Sequence, residues 1–137
     1  MLGATHVLTG SAIYQMVNNQ SLAYGLAFGS HYLLDLIPHY ELSTTTNYLL
    51  LAGAGLGLGV IALKQKDWGI LIAGLLSALP DIIWQLDLFP VFNDFHFLVH
   101  TKNNSPEYGL LLESVIDILA ITLIARSFYT WSNDTKN

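Results

Sequence analysis

Residue types that bind metals recur in pairs, four positions apart, along this chain. The pairs are His31 with Asp35, His96 with His100, and Glu113 with Asp117. On a helix, residues four apart share a face, so both side chains of a pair can point at one ion. The chain has no cysteine, which excludes thiolate sites and thiol nucleophiles. Imidazole and carboxylate ligands without thiolates favour a divalent transition metal, either zinc, manganese or iron.

Further histidines and acids complete the expected site. The metal ligands that we predict are His6, His31, Asp35, Asp81, His96, His100 and Glu113. Glu113 and Asp117 are also the predicted catalytic residues, because a carboxylate that holds no metal can orient or deprotonate a water molecule. We expect His39 and Asp87 to lie outside the site.

Ordinary structural roles remain open for several of these residues. His6 can be a capping or interfacial residue, and the His–Asp pair of the second apolar run can be a plain hydrogen-bonded pair. Asp81 follows Pro80 and can be an N-cap after a kink. His96 and His100 lie in an aromatic-rich stretch that can rest at a membrane interface.

The composition indicates which elements hold these residues. The chain has 137 residues, enough for one domain, and is 53% hydrophobic and only 11% charged. Soluble domains carry about a quarter charged residues, because their surface must be solvated. A surface that is largely covered by lipid needs few charged residues, which explains the low charged fraction. We therefore predict an all-α, multi-pass membrane bundle of about five helices.

Five apolar runs separated by short polar breaks support this prediction. They cover approximately residues 4–17, 22–37, 48–63, 68–88 and 110–131, and they are too long and too rich in Leu, Ala and Gly for strands. We expect a single membrane domain over 1–131 and a polar tail over 132–137. Several runs fall short of the ~20 residues that span a bilayer upright, and the first is expected to be only partly inserted. No basic run precedes it, which argues against a cleaved signal peptide.

The basic residues predict the orientation in the membrane. If the helices alternate in direction, Lys64, Lys66, Arg126 and Lys136 lie on one side, with Lys102 as the exception. The positive-inside rule makes that side cytoplasmic. All five histidines then fall on the opposite side, so we predict an extracytoplasmic site.

Charge also restricts the partners. The formal net charge is −5 and only five residues are Lys or Arg. A protein that tracks a phosphate backbone needs a basic patch, so no nucleic-acid binding is expected. The expected partners are membrane lipid and a lipidic or phosphoester substrate.

Two short elements resemble those of a known family. The run Ser30–Asp35 has the form Ser-His-x-x-x-Asp, and Leu79-Pro80-Asp81 lies in the fourth apolar run; both are similar to elements of bacterial membrane-bound metal-dependent hydrolases. The stretch from His96 to Thr101 loosely resembles a paired-histidine element of the same family. The run His31 to His39 is also distantly similar to the zinc-dependent phospholipase C and nuclease superfamily. The resemblance implies a helical, zinc-dependent membrane hydrolase with His31, Asp35 and Asp81 among its ligands.

The expected function is therefore metal-dependent hydrolysis of a phosphoester, in which the metal acidifies a water molecule that attacks phosphorus. The alternative is a non-enzymatic protein, either an ion-binding or transport unit or a small structural subunit of a membrane complex. A transport path needs polar groups through the full thickness of the membrane. The cytoplasmic halves of the predicted helices are almost purely apolar, which favours a one-sided site.

Overall fold

The computed structural model describes residues 1–40, 42–100 and 106–134, and these residues form six helices. The helices are α1 Gly3–Met16, α2 Gln20–Asp35, α3 Thr44–Gln65, α4 Gly69–Gln85, α5 Pro90–Val99 and α6 Pro106–Asp134. The all-α prediction is confirmed. The predicted count of five is not, because the connection before the last helix contains α5. Residues 132–134 belong to α6 rather than to a polar tail, and 135–137 lie outside the described residues.

Two of the helices are long and apolar enough to cross a membrane. They are α3 and, within α6, Glu107–Asn133. The helices α4 and α5 are long and apolar enough to cross a membrane only when they are taken together. They are bent by 112° at the break between them. With a rise of 1.5 Å per residue, the 14 residues of α1 extend only about 21 Å, against about 30 Å of hydrocarbon. The expected five-helix multi-pass arrangement is therefore not confirmed.

The helix α1, which corresponds to the shortest of the five apolar runs, lies at the centre of the fold. It contacts α2, α3, α4 and α6, and its residues Gly3–Val7 are all buried. By contrast, α3 and α6 leave many large apolar side chains exposed, as lipid-facing helices do. Examples are Leu49, Leu56, Leu111 and Ile118.

Small residues let α1 and α4 approach closely. A Cβ atom added to Gly10 would lie 2.6 Å from the Ala73 carbonyl oxygen, and one added to Gly74 would lie 2.7 Å from Ser11 Oγ. The Ser11 hydroxyl also donates a hydrogen bond of 2.9 Å to the Ile70 carbonyl. Close contact between small residues is a common way to pack helices in membranes, where lipid gives no hydrophobic drive for association.

The helix α5 folds back from α4 after a tight turn. Asp87 adopts a left-handed backbone conformation with φ of 50°, and its carboxylate accepts a hydrogen bond from the Asn93 side chain. Pro90 occupies the first turn of α5, where its missing N–H removes no helical hydrogen bond. This turn brings His96 back over the end of α2.

Candidate metal centre

Four predicted ligands meet at the end of the bundle where α2 finishes. His6 comes from α1, His31 and Asp35 from α2, and Asp81 from α4. One ligand atom of each lies within 4.8 Å of those of the other three. The first three side chains are fully buried, whereas that of Asp81 is 19% exposed. The site is therefore closed on three sides and open beside Asp81.

The distances between nitrogen and oxygen atoms match those of ligands around one ion. His6 Nε2 lies 3.2 Å from Asp35 Oδ1 and 3.8 Å from Asp81 Oδ2. His31 Nε2 lies 3.1 Å from Asp35 Oδ2 and 3.7 Å from Asp81 Oδ1. Ligands about 2.1 Å from a tetrahedral ion stand about 3.4 Å apart. The measured distances bracket this value.

The imidazole of His31 is oriented by the backbone of α4. Its Nδ1 lies 2.9 Å from the Ser77 carbonyl oxygen, and a carbonyl oxygen can only accept a hydrogen bond. Nδ1 therefore carries the hydrogen, and neutral His31 presents the lone pair of Nε2 to the two carboxylates. Metal-binding histidines usually donate their other ring N–H to such a partner.

Several buried nitrogen atoms at the site have no hydrogen bond. These are both ring nitrogens of His6 and the Nε2 atom of His96. Buried polar atoms without partners are rare in folded proteins because their desolvation is not compensated. A bound cation would satisfy the inward-facing nitrogens, so the residues fit a divalent metal.

A fifth ligand position is offered by α5. His96 Nε2 lies 3.5 Å from Asp81 Oδ1 and 3.8 Å from Asp35 Oδ2. The Trp84 ring stacks on the His96 ring, with centroids 5.3 Å apart. The structure thus places His96 beside the four converging residues and covers it with an aromatic ring.

A second group of possible ligands shares Asp35 with the first. It contains Asp35, His39 and His100, again with ligand atoms within 4.8 Å of one another. His100 Nδ1 lies 3.1 Å from Asp35 Oδ2, and its Nε2 lies 3.1 Å from His39 Nε2. We expected His39, which follows the helix that carries Asp35, to lie outside the site. The chain instead turns His39 inward, and its position directly after that helix was the available signal.

The surroundings of His39 keep its ring neutral. Nδ1 donates to the Ile37 carbonyl oxygen at 2.9 Å, so the lone pair of Nε2 faces the site. The Met1 amino group lies 2.5 Å from this Nε2 and 3.2 Å from Asp35 Oδ1. Burial lowers the pKa of His39 to about 4, and the positive amino group acts in the same direction.

The two acids predicted to act in catalysis lie elsewhere. Glu113 and Asp117 belong to α6, which contacts α1, and neither is in a group of converging metal-ligand atoms among the described residues. Asp87 lies in the turn before α5 and is in neither group. The structure thus brings six of the seven predicted ligands together, and Glu113 is the one outside both groups.

A cleft of about 210 Å³ leads to the exposed edge of the site. Its lining includes Asn47 and Tyr48 of α3, together with Asp81, Trp84 and His100. Polar atoms therefore line a path to the partly exposed carboxylate of Asp81. A small polar group can enter there.

The three residues that the family resemblance implies as ligands, His31, Asp35 and Asp81, lie together in this site. That convergence is a property of the fold and does not by itself identify a family. Comparison with family models, with curated proteins and with solved structures finds no match to this chain.

Proposed function

We propose that this protein is a membrane-bound hydrolase that uses a divalent transition metal to cleave a phosphoester. The ion, zinc in the first instance and otherwise manganese or iron, is held by His6, His31, Asp35 and Asp81. One observation carries the proposal. Ligand atoms from three helices lie at the mutual distances of a coordination shell, and the backbone fixes the tautomer of His31.

In this proposal the residues of the chain orient the ligands, admit the substrate and shield the site. When bound, the ion supplies Lewis acidity that polarises a phosphoryl oxygen and acidifies a water molecule. Asp35 lies beneath the site and accepts a hydrogen bond of 3.1 Å from His100 Nδ1, which orients that ring. Asp81 is the ligand on the open side, so the substrate meets the site there. Trp84 covers His96 and limits access from the aromatic face.

The surroundings of the cleft favour a substrate that arrives from the membrane. Phe95, Phe97 and Leu98 of α5 are exposed, whereas His96 on the same helix is buried. Short helices with one exposed apolar face lie in the interface between lipid and water. The polar cleft beside such a helix suits the headgroup of a phosphorylated lipid. We place the site on the extracytoplasmic side, because the basic residues cluster near the opposite helix ends.

Elemental analysis of the detergent-purified protein tests the metal site. We expect about one transition-metal ion per chain in the wild type, and none in the His31→Ala/Asp35→Ala variant, which lacks two ligands from one helix face. Asp94→Asn is the matched control, because Asp94 is an exposed acid on α5, outside the site, and its variant should retain the metal. A wild-type protein without transition metal would end the proposal and favour a structural subunit.

Turnover tests the reaction class separately. The metal-loaded protein in lipid–detergent micelles should hydrolyse at least one phosphomonoester or phosphodiester, and a chelator should abolish this activity. Re-addition of the metal should restore it. Equal turnover by the His31→Ala/Asp35→Ala variant would show that these residues do not carry the reaction.

A further inference from the structure

A second group of converging ligand atoms lies beside the first, where the chain leaves α2. His39 and His100 meet Asp35 there, and one ligand atom of each lies within 4.8 Å of those of the other two. Both Asp35 and His39 are fully buried. Within the described ranges, Asp35 is the one residue that belongs to both groups. Its carboxylate therefore lies between two sets of imidazoles.

Each carboxylate oxygen of Asp35 has contacts on both sides. Oδ2 lies 3.1 Å from His31 Nε2 of the first group and 3.1 Å from His100 Nδ1 of the second. Oδ1 lies 3.2 Å from His6 Nε2 of the first group and 3.2 Å from the Met1 amino group on the other side. A carboxylate with this arrangement can face two ions at once, and two-metal sites hold their ions about 3.5–4 Å apart.

The two imidazoles of the second group present lone pairs to each other. His39 Nδ1 donates to the Ile37 carbonyl oxygen, and His100 Nδ1 donates to the Asp35 carboxylate. In the neutral rings both Nε2 atoms are therefore acceptors, yet they lie 3.1 Å apart. Two acceptors form no hydrogen bond with each other, so their approach is favourable only when a cation lies beside them. Two nitrogen ligands of one ion stand at about this separation.

A positive group already lies at the edge of this place. The Met1 amino group is 2.5 Å from His39 Nε2 and 3.2 Å from Asp35 Oδ1, which shows that both atoms can face one cation. The amino group and a metal ion therefore compete for the same two ligand atoms. The amino group alone is the alternative occupant.

A glycine of α6 fixes the backbone that carries His39. A Cβ atom added to Gly109 would lie 2.4 Å from the Tyr40 backbone nitrogen and 3.0 Å from the His39 carbonyl carbon. The chain that follows α2 thus passes directly against α6, and any side chain at position 109 would push it away. The second group therefore depends on α6, which contributes no ligand to the first group.

We propose that Asp35, His39 and His100 bind a second divalent transition-metal ion, so that two ions share the Asp35 carboxylate. The inference rests on the proposed function for the first ion but not on hydrolysis. Three side chains converge here instead of four, and the amino group competes, so the second ion binds more weakly and is released during purification. The cleft is lined by Asp81 of the first group and His100 of the second, so a phosphate group that enters it meets both ions.

Zinc titration of the detergent-purified full chain tests the second position. The purified protein should hold about one ion, and dialysis against zinc buffers of rising free concentration should add a second. His39→Ala/His100→Ala should keep the first ion, which shows that it is folded, and should take up no second ion. Asp94→Asn, an exposed acid outside both groups, should bind two. A wild type that stays at one ion would leave the place to the Met1 amino group and overturn the proposal, as would a double variant that still binds two.

Manganese substitution tests whether the carboxylate is shared. Two Mn²⁺ ions that share Asp35 couple magnetically, so the electron paramagnetic resonance spectrum should lose the hyperfine pattern of isolated Mn²⁺ as the second equivalent binds. His39→Ala/His100→Ala should keep that pattern at every Mn²⁺ concentration. Two bound ions without magnetic coupling in the wild type would place the second ion elsewhere and overturn the proposal.

The substitution Gly109→Ala tests the second position without removing a ligand. It should weaken the second ion by about 10–100-fold and leave the first unchanged, because it displaces the backbone of His39 only. Gly53→Ala is the control, since its Cβ meets nothing within 4 Å. Unchanged affinity for the second ion in Gly109→Ala would contradict the assignment of His39.

These measurements separate the second ion from the proposed function. Two coupled ions without turnover of any phosphoester would remove the hydrolase proposal and retain the second site. Turnover by a protein that binds one ion at every zinc concentration would do the reverse.

Discussion

The Nδ1 atom of His31 lies 2.9 Å from the carbonyl oxygen of Ser77, so the position of α4 sets the orientation of a ring on α2 that faces the candidate metal site. Ser77 is itself held close to α1, because a Cβ atom at Gly10 would lie only 2.6 Å from the Ser77 Cβ atom. The packing of α1 against α4 and the geometry of the site are therefore linked.

The substitution Gly10→Ala tests this link. The added methyl group meets the backbone of Ala73 and the side chain of Ser77, so α4 must move away from α1. We expect a loss of about 1–3 kcal/mol in the free energy of unfolding and weaker binding of the transition metal. Thermal unfolding in detergent and metal titration measure the two effects. Gly55→Ala is the control, because its Cβ meets nothing within 4 Å, and a destabilisation equal to that of Gly10→Ala would contradict the packing argument.

A polar contact at the opposite end of α1 should affect stability alone. The Tyr14 hydroxyl lies 2.9 and 3.1 Å from the two carboxyl oxygens of Asp67, which also accepts from the Gly69 amide at 2.8 Å. Tyr14→Phe removes one hydrogen bond to a charged acceptor, so we expect a loss of about 1–3 kcal/mol in unfolding free energy. Metal content should be unchanged. A loss of metal on this substitution would show that the two ends of the bundle are coupled.

The stability of the metal-free protein should depend on pH through His39. Burial lowers the pKa of His39 to about 4, whereas the unfolded chain titrates near the ordinary value of 6.5. Between these values the unfolded state binds more protons, so stability falls as the pH is lowered from 6.5 to 4, by at most about 3 kcal/mol. His39→Gln should reduce this dependence in unfolding measured across that range. An unchanged pH profile in the variant would assign the effect to another group.

The predicted orientation can be tested with single cysteines, because the natural chain has none. Asp94→Cys lies on α5 beside the candidate site, and Lys66→Cys lies between α3 and α4. In intact spheroplasts, a membrane-impermeant maleimide should label Asp94→Cys but label Lys66→Cys only after permeabilisation. Equal labelling of both from one side would refute the positive-inside interpretation.

Residue types and helical spacing predicted the residues that converge at the centre of the candidate site. His31 and Asp35 share a face because they are four apart, and both they and Asp81 stand near helix ends that the hydropathy pattern placed on one side. This part of the prediction needs no knowledge of how the helices pack in the tertiary structure. The position of His39 just after α2 placed it on the same membrane side as the other histidines. Its return to the site was not predicted, because the direction of the chain after Pro38 depends on packing against the other helices.

Glu113 shows the other limit of reasoning from sequence. The pattern placed Glu113 near the histidines in depth, but depth does not determine the direction in which a side chain points around the bundle. In the structure Glu113 lies on α6, which contacts α1, and it is in neither group of converging ligand atoms among the described residues. His96 and His100 were predicted to share a face if their stretch were helical, but α5 ends at Val99 and His100 follows it with an extended backbone. The sharp bend after α4, which depends on the conformation of Asp87, decides where that face lies.

The central position of α1 has a consequence for biosynthesis. Its residues are translated before those of α4, α5 and α6, yet α1 is too short to span the bilayer and is covered by partners that follow it along the chain. During translation α1 can contact α2 and α3 first, and its contacts with α4 and α6 form only later. His6 can meet Asp81 only once the fourth helix has left the ribosome, so the four side chains of the candidate site come together late in the synthesis of the chain.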